Sequence, residues 1–337
     1  MTNAKKLEIS IFMPVYNGSK YLDRTINSIL SQTFKDFELV CLDDSSTDDS
    51  YEILRHYQNS DDRIKLFRKP NGGSVPKSWN YILPFLKGNS ITYISQDDLL
   101  SIDYLEKLHL CQKETGADCV LPDLEWYYEN TSLNIRKIGV DGNRDIILSN
   151  RDAVLLSLSW SIHGFALWRS EIFKNELFPE ESFDSDEFMT RKLFFKSNKV
   201  VFCDSVFYYR QDNDQAITKK FGKKNYFRIL TDYRLFIFLT DNKFNKDIID
   251  LKLYKIYRYY FRLRILCLLG KGINSKKDQN EIQNMLKVLY KELRKNRFPD
   301  INNTKGIKNK LKIFIYKSIF IVINLFQNSI SFINKTK

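Results

Sequence analysis

The first hundred residues alternate between short β-branched runs and amphipathic stretches. "EISIFMP" (8–14) is apolar and predicts a first strand. "SKYLDRTINSILSQ" sets Leu22, Ile26, Ile29 and Leu30 at helical spacing, with Ser19 as the candidate cap. "FELVCLDD" predicts a second strand. "TDDSYEILRHYQ" predicts a helix with Thr47 as candidate cap and acids in the first turn, where the helix dipole favours them. "RIKLFRK" predicts a third strand, and "SVPKSWNYILPFLK" a helix that Pro84 kinks or shortens. "SITYIS" is the fourth strand, and "SIDYLEKLHLCQKETG" a helix closed by Gly116. This strand–helix alternation predicts an α/β fold around a central, mostly parallel sheet.

The pattern then loosens. "ADCVLPDLEWYY" predicts a strand, followed by a polar loop near 129–150. "HGFALWRSEIF" reads as a strand entering a helix, "SDEFMTRKLFFKSN" as a helix opening with acids, and "KVVFCDSVFYYRQ" as a strand. From about residue 219 the chain turns helical and basic, which predicts two domains, 1–218 and 219–337. Over 248–269, Lys252, Lys255, Arg258 and Arg262 form a stripe on an apolar, aromatic helix. In 311–337, Lys317, Asn324, Asn328, Ser331 and Lys335 form one narrow polar stripe beside a broad apolar face. Such a helix, over 311–333, is expected to lie in the plane of a membrane surface rather than cross it. A helix packed on the domain or on a partner is the alternative.

Charge sharpens this division. The 337 residues carry a net +12, but residues 219–337 hold 28 basic and 8 acidic residues, while 1–218 are net acidic. The asymmetry implies contact with a polyanion or an anionic membrane. Five cysteines without a CxxC pair imply reduced thiols in a cytoplasm, and three histidines argue against a zinc site. The N-terminal run is short and stops at Pro14, as expected of a first strand and not of a signal peptide. No GxGxxG and no P-loop occurs, so neither a dinucleotide fingerprint nor a Walker site is supported.

In a parallel α/β sheet, ligands bind at the carboxyl ends of the strands. Here those ends are polar. The first strand ends in Pro14-Val15-Tyr16-Asn17, the second in Asp43-Asp44 and the fourth in Asp97-Asp98. Each pair alone suits an ordinary strand-end turn. Their convergence on one sheet edge is a functional signal.

"PVYN" (14–17), "SILSQTFKDFELVCLDDSSTDDS" (28–50), "NGG" (71–73), "YISQDD" (93–98), "DSDEF" (184–188) and "YYRQ" (208–211) follow one another in a set order and spacing. Together they resemble glycosyltransferase family 2 over about residues 7–217. The resemblance implies a GT-A (Rossmann-like) domain followed by a basic α-helical extension. It implies an inverting enzyme of bacterial surface-polysaccharide type. The donor would be a UDP-linked nucleotide-sugar, and the acceptor a glycan or lipid-linked saccharide at the inner face of the plasma membrane.

The resemblance also distributes roles. Asp44 would accept the N–H of the uracil ring, with Pro14, Tyr16 and Asn17 around the base. Asn71, Asn80 and Arg210 would contact ribose or diphosphate; Lys77 is read as a helix-surface residue. Asp98 would hold Mg²⁺ or Mn²⁺, with Asp97 toward ribose or a metal-bound water. Hard cations prefer such oxygens, and one of them would neutralise the departing diphosphate. Trp160, His163 and Gly164 would shape the acceptor and sugar pocket. Asp186 would be the general base, with Asp184 and Glu187 close by in sequence. Two positions depart from the pattern: Ser95 stands where the family's D-x-D-D motif begins, and Ser185 where a Glu precedes the base.

Three rivals follow from other features. A sugar-phosphate nucleotidyltransferase needs a Gly-rich basic loop, which "MPVYNGSKYL" is not. A nucleic-acid binder suits the basic C-terminal part, but acidic strand ends would repel it, so no nucleic-acid partner is expected. An inactive relative that only binds or scaffolds would fit Ser95 and Ser185.

Overall fold

The computed structural model describes residues 7–129, 135–216, 219 and 221–296. The chain divides into two units, 1–220 and 221–337. The first unit opens with β1 (Ile9–Val15), α1 (Ser19–Leu30), β2 (Phe37–Asp43), α2 (Ser50–Ser60), β3 (Ile64–Arg68), α3 (Val75–Ile82) and β4 (Ser90–Tyr93). It continues with β5 (Leu99–Leu100), α4 (Tyr104–Thr115), β6 (Cys119–Tyr127), β7 (Ile135–Lys137), α5 (Asn150–Leu158), β8 (Leu167–Arg169), α6 (Ser185–Lys196) and β9 (Val200–Arg210).

The strands form one sheet in the order β3-β2-β1-β4-β8-β6-β9-β5, with β7 paired to β6. The first four strands are mutually parallel. β8 runs antiparallel between β4 and β6, β6 and β9 are parallel, and β5 pairs antiparallel with β9 as β7 does with β6. The sheet is therefore mixed, parallel in the half that the strand–helix alternation marks. The two- and three-residue strands β5 and β7 are too short to display a period. β1 and β2 are buried on both faces, which is why they read as unbroken apolar runs. Ile9, Ile11 and Met13 share a core with Leu22, Ile26 and Ile29 of α1. Each such side chain contributes about 1.5–3 kcal/mol by leaving water.

Neither cap candidate caps its helix. Ser19 is already helical behind Gly18, and Thr47 lies ahead of Asp49, the residue that precedes α2. Pro84 acts as expected: α3 stops at Ile82 and only a 3₁₀ turn, Leu83–Phe85, follows. Gly116, at φ 66°, closes α4 in the left-handed conformation that a Cβ disfavours. The helix expected after β8 is a single 3₁₀ turn, Ser170–Phe173.

Register brings the polar strand ends together. Val15 lies opposite Asp43, and Asp44 N–H donates to the Val15 carbonyl at 2.8 Å. Phe12 lies opposite Tyr93, and Ile94 N–H donates to the Phe12 carbonyl at 3.1 Å.

The second unit contains α7 (Lys223–Asp241), α8 (Lys246–Leu268) and α9 (Lys276–Arg294). They pack around Ile256, Tyr260 and Leu263 of α8 and Ile282, Leu286 and Leu289 of α9. Lys252 leaves the stripe assigned to it. It is mostly buried and ion-paired with Asp232 of α7. Among the described residues no helix is long and apolar enough to cross a membrane. The interfacial helix expected at 311–333 lies outside the described residues.

Candidate active site

The loops after β1 and β2 are stitched to each other. Asn17 takes a left-handed φ of 51°. Its Oδ1 accepts from Thr47 N at 2.8 Å, and its own N–H donates to Ser46 Oγ at 3.0 Å. The side chain expected beside a base thus binds the neighbouring loop. Pro14 is half-buried, and Tyr16 is 47% exposed at the mouth. Gln96 brackets the Tyr16 backbone, accepting from its N at 2.8 Å and donating to its carbonyl at 3.1 Å. A Cβ at Gly18 would fall 2.4 Å from Gln96 Cδ, so a larger residue there would displace the Gln96 side chain from this bracket.

Asp43 is fully buried, accepts from Ser46 N and pairs with Arg68 at 3.0 Å. Asp44 Oδ1 accepts from Gly72 N at 2.8 Å and from the ammonium of Lys69, which is itself buried. Lys69 escaped the sequence reading. Its only signal was a cation directly after β3, whose neighbour in the sheet is β2. Asn71 and Lys77 are exposed beside this loop. Asn80 does not face it. Its Oδ1 accepts from Phe178 N at 2.7 Å, and its Nδ2 donates to Phe178 O and Glu180 Oε1, both at 2.8 Å. It is a latch on the 178–180 segment, in place of the expected ribose or diphosphate ligand.

The turn after β4 carries Asp97 and Asp98. Thr25 Oγ1, on α1, lies 3.0 and 2.9 Å from the carbonyls of Gln96 and Asp98. Asp98 Oδ1 accepts from Arg210 N at 2.9 Å, while Oδ2 is buried with no hydrogen-bond partner. Asp97 Oδ2 accepts from Asn213 Nδ2 at 2.6 Å. Burial, then the charge of Asp97, holds the Asp98 carboxyl well above the usual range, and burial also raises Asp97. An orphaned carboxylate oxygen beside a second carboxylate is a partial set for a hard divalent cation. No cluster of three His, Cys, Asp or Glu ligands occurs among the described residues, so phosphate oxygens and water would have to complete it. At Ser95, where the family pattern has an acid, the hydroxyl lies 3.1 Å from the Tyr93 phenol.

Arg210 ends β9 and does not extend from a loop toward a diphosphate. Its side chain is wholly buried between the rings of Tyr21 and Tyr127, 4.5 and 4.9 Å from their centroids. Nη1 meets Glu129 and Asp212, both at 3.1 Å, and Nε donates to the Asp97 carbonyl at 2.8 Å. It braces the acidic turn from behind.

The third group stands at the start of α6. Ser182 Oγ bonds Asp184, Ser185 is buried with its hydroxyl donating to the Ser182 carbonyl at 2.9 Å, and Glu187 pairs with Arg191. Asp186 is half-buried; among the described residues its carboxyl has no ion pair and no side-chain partner, and only the backbone N–H groups of Asp186 and Glu187 bond it. Burial, with the charges of Glu187 and Asp184 behind it, pushes its carboxyl up to about 7. Asp186 lines a cleft with Trp79, Tyr93, Trp160, His163 and Gly164. Trp79 stacks on Phe178 at 5.0 Å and 4°, and on Phe173 at 5.6 Å and 15°. Gly164 lets this wall approach α6: a Cβ would lie 2.6 Å from Thr190 Cγ2. Trp160 has φ 58°, and its carbonyl accepts from Lys137 Nζ at 2.5 Å. His163 is buried with Nε2 3.1 Å from the Pro122 carbonyl, and burial lowers its pKa to about 4. Its imidazole is therefore neutral at pH 7, with Nε2 as the donor.

The two acidic groups share one neighbourhood. Burial raises the pKa of the Tyr93 phenol, and the charges of Asp186, Asp98 and Asp97 add to that shift. Tyr209 is likewise pushed to about 12, by burial first and then by Asp98, Asp97, Glu187 and Asp186. Acids almost ninety residues apart in sequence thus face common ground.

Comparison with known proteins gives this geometry a family. Residues 10–177 match the Glycosyl transferase family 2 profile. "Glycosyltransferase GlyG" of Streptococcus pneumoniae is 25% identical over 232 residues, which cover 63% of this chain and 74% of GlyG. "Glycosyltransferase GlyA" of the same organism is 29% identical over 209 residues, 60% of this chain but only 30% of GlyA. The chain thus spans under a third of that longer relative. Among solved structures, S. aureus TarS 1-349 in complex with UDP superposes with a TM-score of 0.58 at 18% identity, covering 81% of this chain and 77% of that one. That likeness is one of fold. Profile match, glycosyltransferase relatives and fold agree with the acidic sheet edge, and the chain belongs to glycosyltransferase family 2.

Proposed function

We propose that the protein moves a sugar from a UDP-linked nucleotide-sugar to a glycan or lipid-linked saccharide acceptor, with inversion, in cell-surface polysaccharide synthesis at the inner face of the membrane. The observation that carries this reading is Asp186: a half-buried carboxyl with a pKa raised to about 7, without a side-chain partner, in an aromatic-walled cleft beside a second acidic cluster. The polysaccharide setting is supported by a relative described as a poly(ribitol-phosphate) beta-glucosyltransferase, 30% identical over 122 residues. The donor class is supported by a structure of TarS with UDP-GlcNAc.

In this mechanism Asp186, ionised, takes the proton of an acceptor hydroxyl. The hydroxyl oxygen bonds to the anomeric carbon as the bond to the diphosphate oxygen breaks, and that electron pair leaves with the nucleotide. Attack opposite the leaving group inverts the centre. Asp44, held by Lys69 and Gly72, faces the base, with Pro14 and Tyr16 beside it. Asp98 and Asp97 would hold Mg²⁺ or Mn²⁺, which when bound supplies charge neutralisation at the diphosphate. Arg210, Asn213 and Thr25 keep those two carboxylates in place. Trp160, at the cleft wall, offers a ring against which a sugar face can pack, while Trp79 is buried in the aromatic stack behind it.

A panel of nucleotide-sugars, read by nucleotide release, tests this. UDP-sugar turnover that chelation abolishes and Mn²⁺ restores is expected, with Asp186→Asn inactive but still binding donor. Turnover that survives thorough chelation would remove the metal from the reading. Full activity of Asp186→Asn would move the base elsewhere.

A further inference from the structure

The solvent face of α8 has a character that sugar transfer does not use. Leu251, Lys255, Arg258, Arg262, Ile265 and Leu269 recur every three or four residues and are all exposed, so they share one side of the helix. Its middle is cationic. Its end is apolar: Leu268 and Leu269 are 77% and 75% exposed, and Ile265 is 54% exposed. The tip is ordered. Leu269 N donates to Ile265 O at 3.0 Å, and Gly270, at φ 65°, ends the helix. Beyond the tip the chain is cationic again at the exposed Lys271, Lys276 and Lys277. The acids nearest in sequence after it, Asp278 and Glu281, are paired with Lys223.

We propose that this tip is a docking wedge for an anionic lipid bilayer. Cations on both sides engage the headgroups, while Ile265, Leu268 and Leu269 enter the acyl boundary. A basic face would serve any polyanion. Three bulky apolar side chains exposed at its end add a contact that a bilayer interior accepts and a nucleic-acid backbone does not, and the cations on both sides match an anionic headgroup layer. The inference deepens the membrane part of the reading above and stands apart from its sugar chemistry.

The test uses the full chain and vesicles of phosphatidylglycerol mixed with phosphatidylcholine, against phosphatidylcholine alone. The double variant Leu268→Gln/Leu269→Gln keeps helix propensity and adds no charge. It is expected to lose at least about tenfold in affinity for the anionic vesicles. Val288→Gln, at another exposed apolar site, on α9, is expected to bind as the parent does. Turnover of soluble donor and acceptor stays unchanged in both, which separates loss of docking from loss of catalysis or folding. Bimane attached at Leu268→Cys reports on the tip itself, whatever the residues after 296 contribute. A blue shift on anionic vesicles that is missing at Val288→Cys supports the wedge. Undiminished vesicle binding by the double variant, or no shift at position 268, overturns it. Duplex DNA binding that matches vesicle affinity and ignores the two leucines also overturns it.

Discussion

Asp186→Asn should do two opposite things at once. In the folded protein the carboxyl titrates at about 7, against an ordinary value of 3.8. Between those values the folded chain holds a proton that the unfolded chain has released. Unfolding then releases protons, so stability falls as pH rises through this window. Three units at 1.36 kcal/mol each set a ceiling of about 4 kcal/mol. The side chain is only half-buried, and solvent screening reduces this to about 1–2 kcal/mol. Asn carries no charge, so the variant should be about 1–2 kcal/mol more stable than the parent at pH 8, a gain that vanishes below pH 4. Its transfer rate should meanwhile fall by about 10²–10⁴. In the parent, kcat/KM should rise about tenfold between pH 6 and pH 8 as the base ionises. Urea unfolding at pH 4, 6 and 8 and nucleotide release across the same range measure both halves. A variant no more stable than the parent at pH 8, or a rate limb centred near 4, would refute the assignment of a desolvated base at 186.

Three further outcomes follow from the geometry. Arg210→Lys keeps the charge but loses the fork that reaches Glu129, Asp212 and the Asp97 carbonyl. It should raise the Mn²⁺ dissociation constant about tenfold while leaving acceptor KM near the parent value, and equal loss at both would make the residue merely structural. Gly164→Ala puts a methyl 2.6 Å from Thr190 Cγ2; it should lose about 1–3 kcal/mol of stability and lower kcat more than donor KM. Asn80→Ala should destabilise by about 1–3 kcal/mol through the freed Phe178 backbone with little change in donor KM; a donor KM raised tenfold at unchanged stability would restore Asn80 as a ligand.

Much of the site was legible because strand ends announce themselves. Apolar, β-branched runs stop at Asp43-Asp44 and Asp97-Asp98, and a parallel sheet sends both stops to one edge. Departures from the family pattern were legible too, but their consequence was not: Ser95 meets Tyr93, a contact that depends on how the chain turns after β4. Lys69, Gln96, Thr25 and Asn213 carried no signal strong enough to separate them from surface residues. Their importance lies in partners 25 to 116 positions away.

The order of strands and helices, the acidic strand ends and the family pattern are local properties of the chain. Period, propensity and residue order are enough to read them. Which polar groups are taken up by other segments and which stay open toward the cleft depends on how the fold packs. Asn17, Asn80 and Arg210 belong to the pattern expected of ligand contacts, yet the fold turns them onto backbone and acids of other segments. Asp184, Asp186 and Glu187 are near-equivalent in sequence, yet Ser182 bonds Asp184 and Arg191 pairs with Glu187, while Asp186 lines the cleft with only backbone N–H groups at its carboxyl. The reason is that a buried hydrogen-bonding group must find a partner, and the partner on offer depends on which distant segment the fold brings beside it.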